Sequence, residues 1–222
     1  MRRIYKTDEP AALEDWKADK NWQGNPPSWR DFSAEAYAAV KATTARDQRQ
    51  LCCYCAGWIG DGAAHVEHFR PQSVFPSLRF AWPNLLASCE SPSKGWIANP
   101  AKTQRHCGHK KDNWFDPTLT IDPQTDVAAL FRYKLDGRVY AAKDLPIQRY
   151  NAVMTTIEKL NLDAPALRER RKAVLADAAE DAETMSHNAW RTRYLNMDNE
   201  GCLIEFWPAL KYNYDKFWRD QF

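Results

Sequence analysis

Two sets of residues in this chain have the types and spacing to do chemistry, and they interleave. The first is a set of cysteines. Cys52 and Cys55 stand at CxxC spacing in LCCYCAGW, a knuckle that lets two thiolates face one ion; Cys89 in LLASCESP and Cys107 in RHCGHKK follow. Four thiolates around Zn²⁺ make a closed tetrahedral site with Zn–S distances of about 2.3 Å, which adds folding energy and leaves no position open for catalysis. The expected role is therefore structural. Cys53 lies inside the knuckle and points away if Cys52 and Cys55 both ligate, while Cys202 reads as a buried small apolar residue. A redox role for the CxxC pair needs a thioredoxin-like βαβ pattern, which is not visible here.

The second set lies between the halves of the cysteine framework. If AAHVEHFRPQS is a strand, His65 and Glu67 face one way and Val66 and His68 the other, and Pro71 ends it. Asn84 follows in FAWPNLLASC. In CGHKKDN, His109 and Asn113 are four apart, which puts both on one face of a helix beginning near Cys107. A zinc hydrolase of the HExxH kind is disfavoured, because HVEH has the wrong spacing. His65 reads as a solvated or core histidine, and His106 and His187 carry no motif.

The order EH, then NL, then a cysteine-anchored H-x-x-x-N resembles the ββα-metal core of HNH endonucleases, in the subgroup pinned by four cysteines. The run from CxYC through EHFRPxS and WxNL to CGxKK, with TTIEKLNLDAPALRERR further on, is similar to the HNH effectors of Septu-type and retron-associated anti-phage systems. The resemblance implies His68 as the general base, with Glu67 and His109 holding a divalent cation, Mg²⁺ or Mn²⁺ foremost, and Asn84 bracing the loop that orients His68. Many relatives place the last ligand directly after the final cysteine, where this chain has Gly108, so the helix ligand is His109, Asn113 or both. Phosphodiester hydrolysis wants these residue types: a neutral imidazole to deprotonate water and a cation to neutralise the phosphate and the departing oxygen. The expected activity is endonucleolytic, on DNA foremost. The resemblance also implies an ABC- or SMC-type ATPase partner and, in some relatives, a reverse transcriptase with its RNA–DNA product. The alternative is a catalytically inactive zinc-stabilised module that binds nucleic acid or protein.

These residues need elements to position them. The expected fold is α+β, a mainly helical chain around a small zinc-stabilised ββα-metal (HNH) core. Residues 1–50 form a helical segment, 51–120 the nuclease core, and 121–222 a helical region with an aromatic tail. EPAALEDWKADK carries an apolar stripe through Leu13 and Trp16, and a second helix starts near Ser33 with Phe32, Ala36, Tyr37 and Val40 on its apolar side. From Leu51 the chain is loop-rich with little apolar volume, the kind of segment that commonly needs a metal to fold. Beyond Pro146, Tyr150, Val153, Met154, Ile157 and Leu160 make one helical face. Asp163 is then placed to cap a charged helix through ALRERRKAVLADAAEDAETM, with Pro165 in its first turn. Its charges read as a solvated face.

Composition sets the remaining bounds. Of 222 residues, 44% are hydrophobic and 27% charged, which is globular rather than disordered. Ten tryptophans, Trp22 among them, suit core packing more than an interface. A net charge of +2 gives no whole-molecule attraction to a polyanion, so a nucleic-acid surface must be local. Arg70, Lys94, Lys102, Arg105, Lys110 and Lys111 cluster around the motifs as candidates for gripping phosphates. Nothing resembles a base-reading helix, so cleavage limited by shape or context is expected. No apolar run is long enough to cross a bilayer, and MRRIYKTDEP has no apolar stretch after its charges; the expected location is cytoplasmic, where cysteines serve as metal ligands or free thiols.

Overall fold

One short β-ladder carries apolar packing on both sides, and the rest of the chain is arranged around it. The computed structural model describes residues 1–19, 27–60, 62–90 and 104–221. Trp22, Lys94 and Lys102 lie outside these residues.

Helix α1, Ala11–Asp19, buries Leu13 and Trp16, the stripe its sequence predicts. Helix α2, Ala34–Asp47, starts at Ser33, whose side chain accepts from the Ala36 N–H and satisfies one of the free donors of the first turn. Strand β1, Ala64–His68, pairs antiparallel with β2, Leu85–Cys89, in a register that sets His65 opposite Ser88 and His68 opposite Leu85. Val66 and Leu85 pack with Leu13, Trp16, Val40, Phe80 and Trp82 into an aromatic-rich layer beneath α1 and α2. The free edge of β2 is satisfied by Gln48, which accepts from Ala87 N and donates to Ala87 O, and by the Cys53 N–H. Helix α3, Cys107–Lys111, packs on the ladder; its Gly108 N–H donates to the Ser88 hydroxyl.

Strands β3, Phe131–Tyr133, and β4, Val139–Ala141, form a second hairpin. Its turn needs Gly137, at φ 83°, where an added Cβ would sit 2.1 Å from the Arg168 carbonyl oxygen. Helices α4, Ile147–Lys159, α5, Pro165–Thr184, α6, His187–Tyr194, and α7, Trp207–Asn213, complete the chain. On α4, Val153 and Ile157 are buried as expected, whereas Met154 is 39% exposed, one step round the helix from the buried stripe. Pro165 occupies the first turn of α5, but Asp163 does not cap it: the N-cap is Ala164. Asp163 accepts from Val139 N–H and pairs with Arg168, tying β4 to α5.

The larger core joins Leu86 of the ladder to Phe131, Ile157, Leu167, Leu175, Trp190, Phe206 and Leu210, and the cysteines of the knuckle belong to it. The aromatic tail therefore packs back on the chain. Trp190 is fully buried against Tyr194, Tyr214 and Trp218, and its indole N–H donates to Ala178 O at 2.7 Å. The architecture is mixed, helices with small antiparallel sheets, as the α+β expectation requires. Among the described residues no helix is long and apolar enough to cross a membrane.

Trp190→Ala is expected to destabilise the fold by about 3–5 kcal/mol, because removing a fully buried ring leaves a cavity. Urea denaturation followed by circular dichroism measures it; a loss under about 1 kcal/mol would mean the α5–α6 packing is not part of the cooperative core.

Candidate metal centres

The knuckle is a backbone turn before it is a metal site. Cys52 N–H donates to Gly57 O, Ala56 N–H returns to Cys52 O, and Gly57 N–H points at the Cys55 sulfur at 3.3 Å. Cys89 closes β2 and Cys107 opens α3 with φ 55°, a left-handed conformation that a non-glycine residue adopts only when its surroundings hold it there. These elements bring the sulfurs of Cys52, Cys55, Cys89 and Cys107 within 4.8 Å of one another, all buried. Cys55 and Cys89 Sγ are 3.8 Å apart. That is far too long for a disulfide, and it equals the edge of a tetrahedron with metal–sulfur bonds of about 2.3 Å, which is about 3.8 Å. The four residues can hold a structural metal such as zinc. Cys53 is outside the group and Cys202 is a separate buried thiol.

Without a cation the cluster cannot ionise fully. Burial pushes the Cys107 thiol up, while hydrogen bonds from Cys107 and its neighbours outweigh burial at Cys52 and hold that thiol down. Four thiolates in one buried cluster call for a divalent ion. Two further groups fit a buried anion. His106, with no motif to mark it, sets Nδ1 at 3.3 Å from Cys107 Sγ and 3.8 Å from Cys89 Sγ, and burial lowers it to about 4, so the neutral ring can donate Nδ1–H to sulfur. Arg171, buried on α5, donates to Gly137 O and Leu162 O, and its charge is favoured by Tyr133, Cys55, Asp163 and Cys107 against the cost of burial.

The face of the ladder that meets α3 carries a second group at its partly exposed end. His65, Glu90 and His109 present ligand atoms within 4.8 Å of one another, all partly exposed. The His65 and His109 rings stack at 4.5 Å with 6° between planes. Glu90 Oε2 is 3.5 Å from His109 Nε2, and Glu90 Oε1 is 3.9 Å from His65 Nδ1. Strand period explains this: Ser88 faces His65, so Glu90, two residues on, is its diagonal neighbour on the same face. His65, expected as a solvated or core histidine, is central here, and Glu90, directly after Cys89, carries no motif that marks it.

The predicted residues divide between these surroundings. Glu67 is buried: its Oε1 accepts from Tyr54 hydroxyl at 3.0 Å and pairs with Lys111 Nζ at 2.9 Å, and its Oε2 is 3.5 Å from His65 Nε2. Burial opposes its charge, but His65 and Lys111 hold its carboxyl below the ordinary range. Lys111, expected on the phosphate surface, is only 2% exposed. Four residues after Cys107 it shares the buried side of α3, where it also donates to His68 O. Asn113 does not share a helix face with His109, because α3 ends at Lys111 and Asp112 turns the chain at φ 49°. Asn113 instead accepts from Ser73 hydroxyl at 2.6 Å. Gly108 is where it is because nothing larger fits: an added Cβ would lie 2.4 Å from Glu67 Oε2 and 2.6 Å from His65 Nε2.

His68 faces away from His65 and Glu67, as strand alternation predicts, toward Trp29, whose ring meets it edge-on at 4.6 Å. Its Nε2 is 2.9 Å from the Arg79 carbonyl, and burial lowers the ring to about 4. A carbonyl only accepts, so Nε2 carries the proton and Nδ1 is the basic atom. Asn84 accepts from Arg70 N–H and donates to Arg70 O and Leu78 O, clamping the two ends of the loop after His68. Arg70 and Lys110 are exposed and Arg105 is half-buried.

Two outcomes test this arrangement. The purified chain is expected to hold one tightly bound zinc by elemental analysis, and Cys89→Ser to lose both the metal and cooperative unfolding. Lys111→Met strands the Glu67 carboxylate and is expected to cost about 3–5 kcal/mol. In the wild type, Glu67's lowered carboxyl contributes stability that is present above its unfolded value and fades as pH falls through its folded value. Without Lys111 burial dominates and the carboxyl rises, so the deficit relative to wild type should be larger at pH 8 than at pH 5; an equal deficit at both would show that the ion pair does not carry the effect.

Comparison of the chain with protein-family models finds no match, and comparison with curated proteins finds none either.

Proposed function

We propose that this chain is a metal-dependent endonuclease of the HNH kind, in which β1, β2 and α3 make up a ββα-metal core pinned by a zinc bound to Cys52, Cys55, Cys89 and Cys107. The observation that carries the reading is the setting of His68. It ends β1 with its tautomer fixed by the Arg79 carbonyl, and the loop that follows is clamped by Asn84.

In this reading His68 Nδ1 accepts the proton of the attacking water. Burial keeps the ring neutral and ready to do so at pH 7, and a phosphodiester anion nearby raises its affinity for the proton at the moment of transfer. A divalent cation, when bound, neutralises charge on the phosphate and on the leaving oxygen. His109 is one ligand for it; Glu67, held by Lys111 and Tyr54, supports His65 beside it from behind. Arg70, Lys110 and Arg105 grip backbone phosphates without reading bases. DNA is the first substrate to test. The sequence resemblance extends the proposal to an anti-phage effector working beside an ABC- or SMC-type ATPase, and beside a reverse transcriptase and its RNA–DNA product in some settings.

A second reading, a zinc-stabilised binding module without catalysis, is favoured by one fact: both Glu67 and His68 are buried and already engaged. Plasmid nicking with Mg²⁺ or Mn²⁺, with and without the ATPase, separates the two. The nuclease reading expects cleavage that His68→Ala lowers by roughly 10²–10⁴-fold while zinc content and cooperative unfolding are retained. Full activity in His68→Ala would remove the mechanism, and binding of DNA without cleavage would favour the module.

A further inference from the structure

We infer that His65, Glu90 and His109 form a second metal site, for a transition-metal ion, separate from the four-cysteine cluster. Three observations carry it. The ligand atoms of the three partly exposed side chains lie within 4.8 Å of one another where the ladder meets α3. His65 Nδ1 is buried and has no hydrogen-bond partner. Its other nitrogen, Nε2, faces Glu67 Oε2 at 3.5 Å.

The third observation fixes the sense of the first two. A carboxylate only accepts, so the proton of a neutral His65 sits on Nε2, toward Glu67. Nδ1 is then a bare lone pair directed at the Glu90 carboxylate 3.9 Å away. A lone pair facing an anion is unfavourable, and it is relieved either by a second proton on the ring or by a metal cation between the two groups. Glu67, itself fixed by Lys111 and Tyr54, thus sets the His65 tautomer, the arrangement in which metal-bound histidines are commonly held by an outer carboxylate. His109 completes the set: its Nε2 is 3.5 Å from the other Glu90 oxygen, and its ring is parallel to that of His65.

The donor set decides the class of ion. Two imidazoles and one carboxylate suit Mn²⁺, Fe²⁺, Co²⁺ or Zn²⁺, whereas Mg²⁺ prefers oxygen ligands and water. Three protein ligands leave positions open for water or a phosphate oxygen, unlike the closed thiolate cluster. As the source of the nuclease's cation the site rests on the reading given above; as a metal site it does not.

The test uses the full chain carrying its thiolate-bound zinc. Co²⁺ and Mn²⁺ are titrated in, with binding read by Co²⁺ absorption, Mn²⁺ electron paramagnetic resonance and elemental analysis. The wild type should take up one further equivalent, with Mn²⁺ preferred over Mg²⁺ by at least about tenfold. Glu90→Gln and His109→Ala should each weaken that equivalent by at least about tenfold and leave the first zinc and the thermal midpoint in place. A wild type that holds only one ion, or a second ion undiminished in both variants, overturns the site. Cleavage assays on the same samples keep the two proposals apart. A second ion bound without cleavage of DNA or RNA upholds the site and removes the nuclease reading. Mn²⁺-dependent cleavage that persists in Glu90→Gln after its second ion is lost overturns the catalytic assignment of the site.

Discussion

The convergence of four buried thiols is the constraint on which the rest of this structure depends. Helix α3 has five residues, too few to be stable alone, since helix nucleation fixes several residues for its first hydrogen bond. Its first residue, Cys107, sits at a left-handed φ, and the chain that leads to it follows a stretch outside the described residues. What fixes α3 against β2 is the shared cluster of Cys89 and Cys107 with the knuckle, reinforced by Gly108 N–H to Ser88 and Lys111 to His68 O. The position of every candidate ligand on α3 follows from that anchoring.

A second layer of constraint is electrostatic. The side of the ladder that meets α3 carries a carboxylate, a buried ammonium, a phenol and an imidazole in direct contact, and each has a partner that suits its charge. A buried ion pair of this sort adds little net stability, but it fixes geometry, because removing either partner leaves a charge in an apolar place. The glycine between Cys107 and His109 belongs to the same design. It allows the helix backbone to approach the Glu67 carboxylate, and it moves the next usable side chain to position 109.

Much of this was legible in the sequence. The cysteine set, the helix starts at Ser33 and near Cys107, the pairing of faces along HVEH and the structural use of tryptophan all follow from spacing and period. The departures from the sequence have particular causes. A helical register continued through Asp112 would put Asn113 beside His109, but the backbone turns at Asp112. Lysine is usually a surface residue, yet Lys111, four residues on from a buried cysteine, points inward. Glu90 is not legible because its partner His65 is twenty-five residues away and the pairing register of two strands is not written in either one. Asp163 had a nearer use, the β4 backbone, than the helix it precedes.

The larger core has a consequence for how this protein comes to exist. Cys107 N–H donates to Leu160 O, Asn161 side chain donates to Arg105 O, and Arg171 of α5 lies close enough to the thiols for its charge to be felt by them. The thiol cluster is therefore walled by chain that leaves the ribosome some fifty to sixty residues after Cys107. A nascent chain can present all four sulfurs while the cluster is still open to water and to competing ions. A truncation after residue 120 would remove these contacts and leave the thiol cluster with one wall missing.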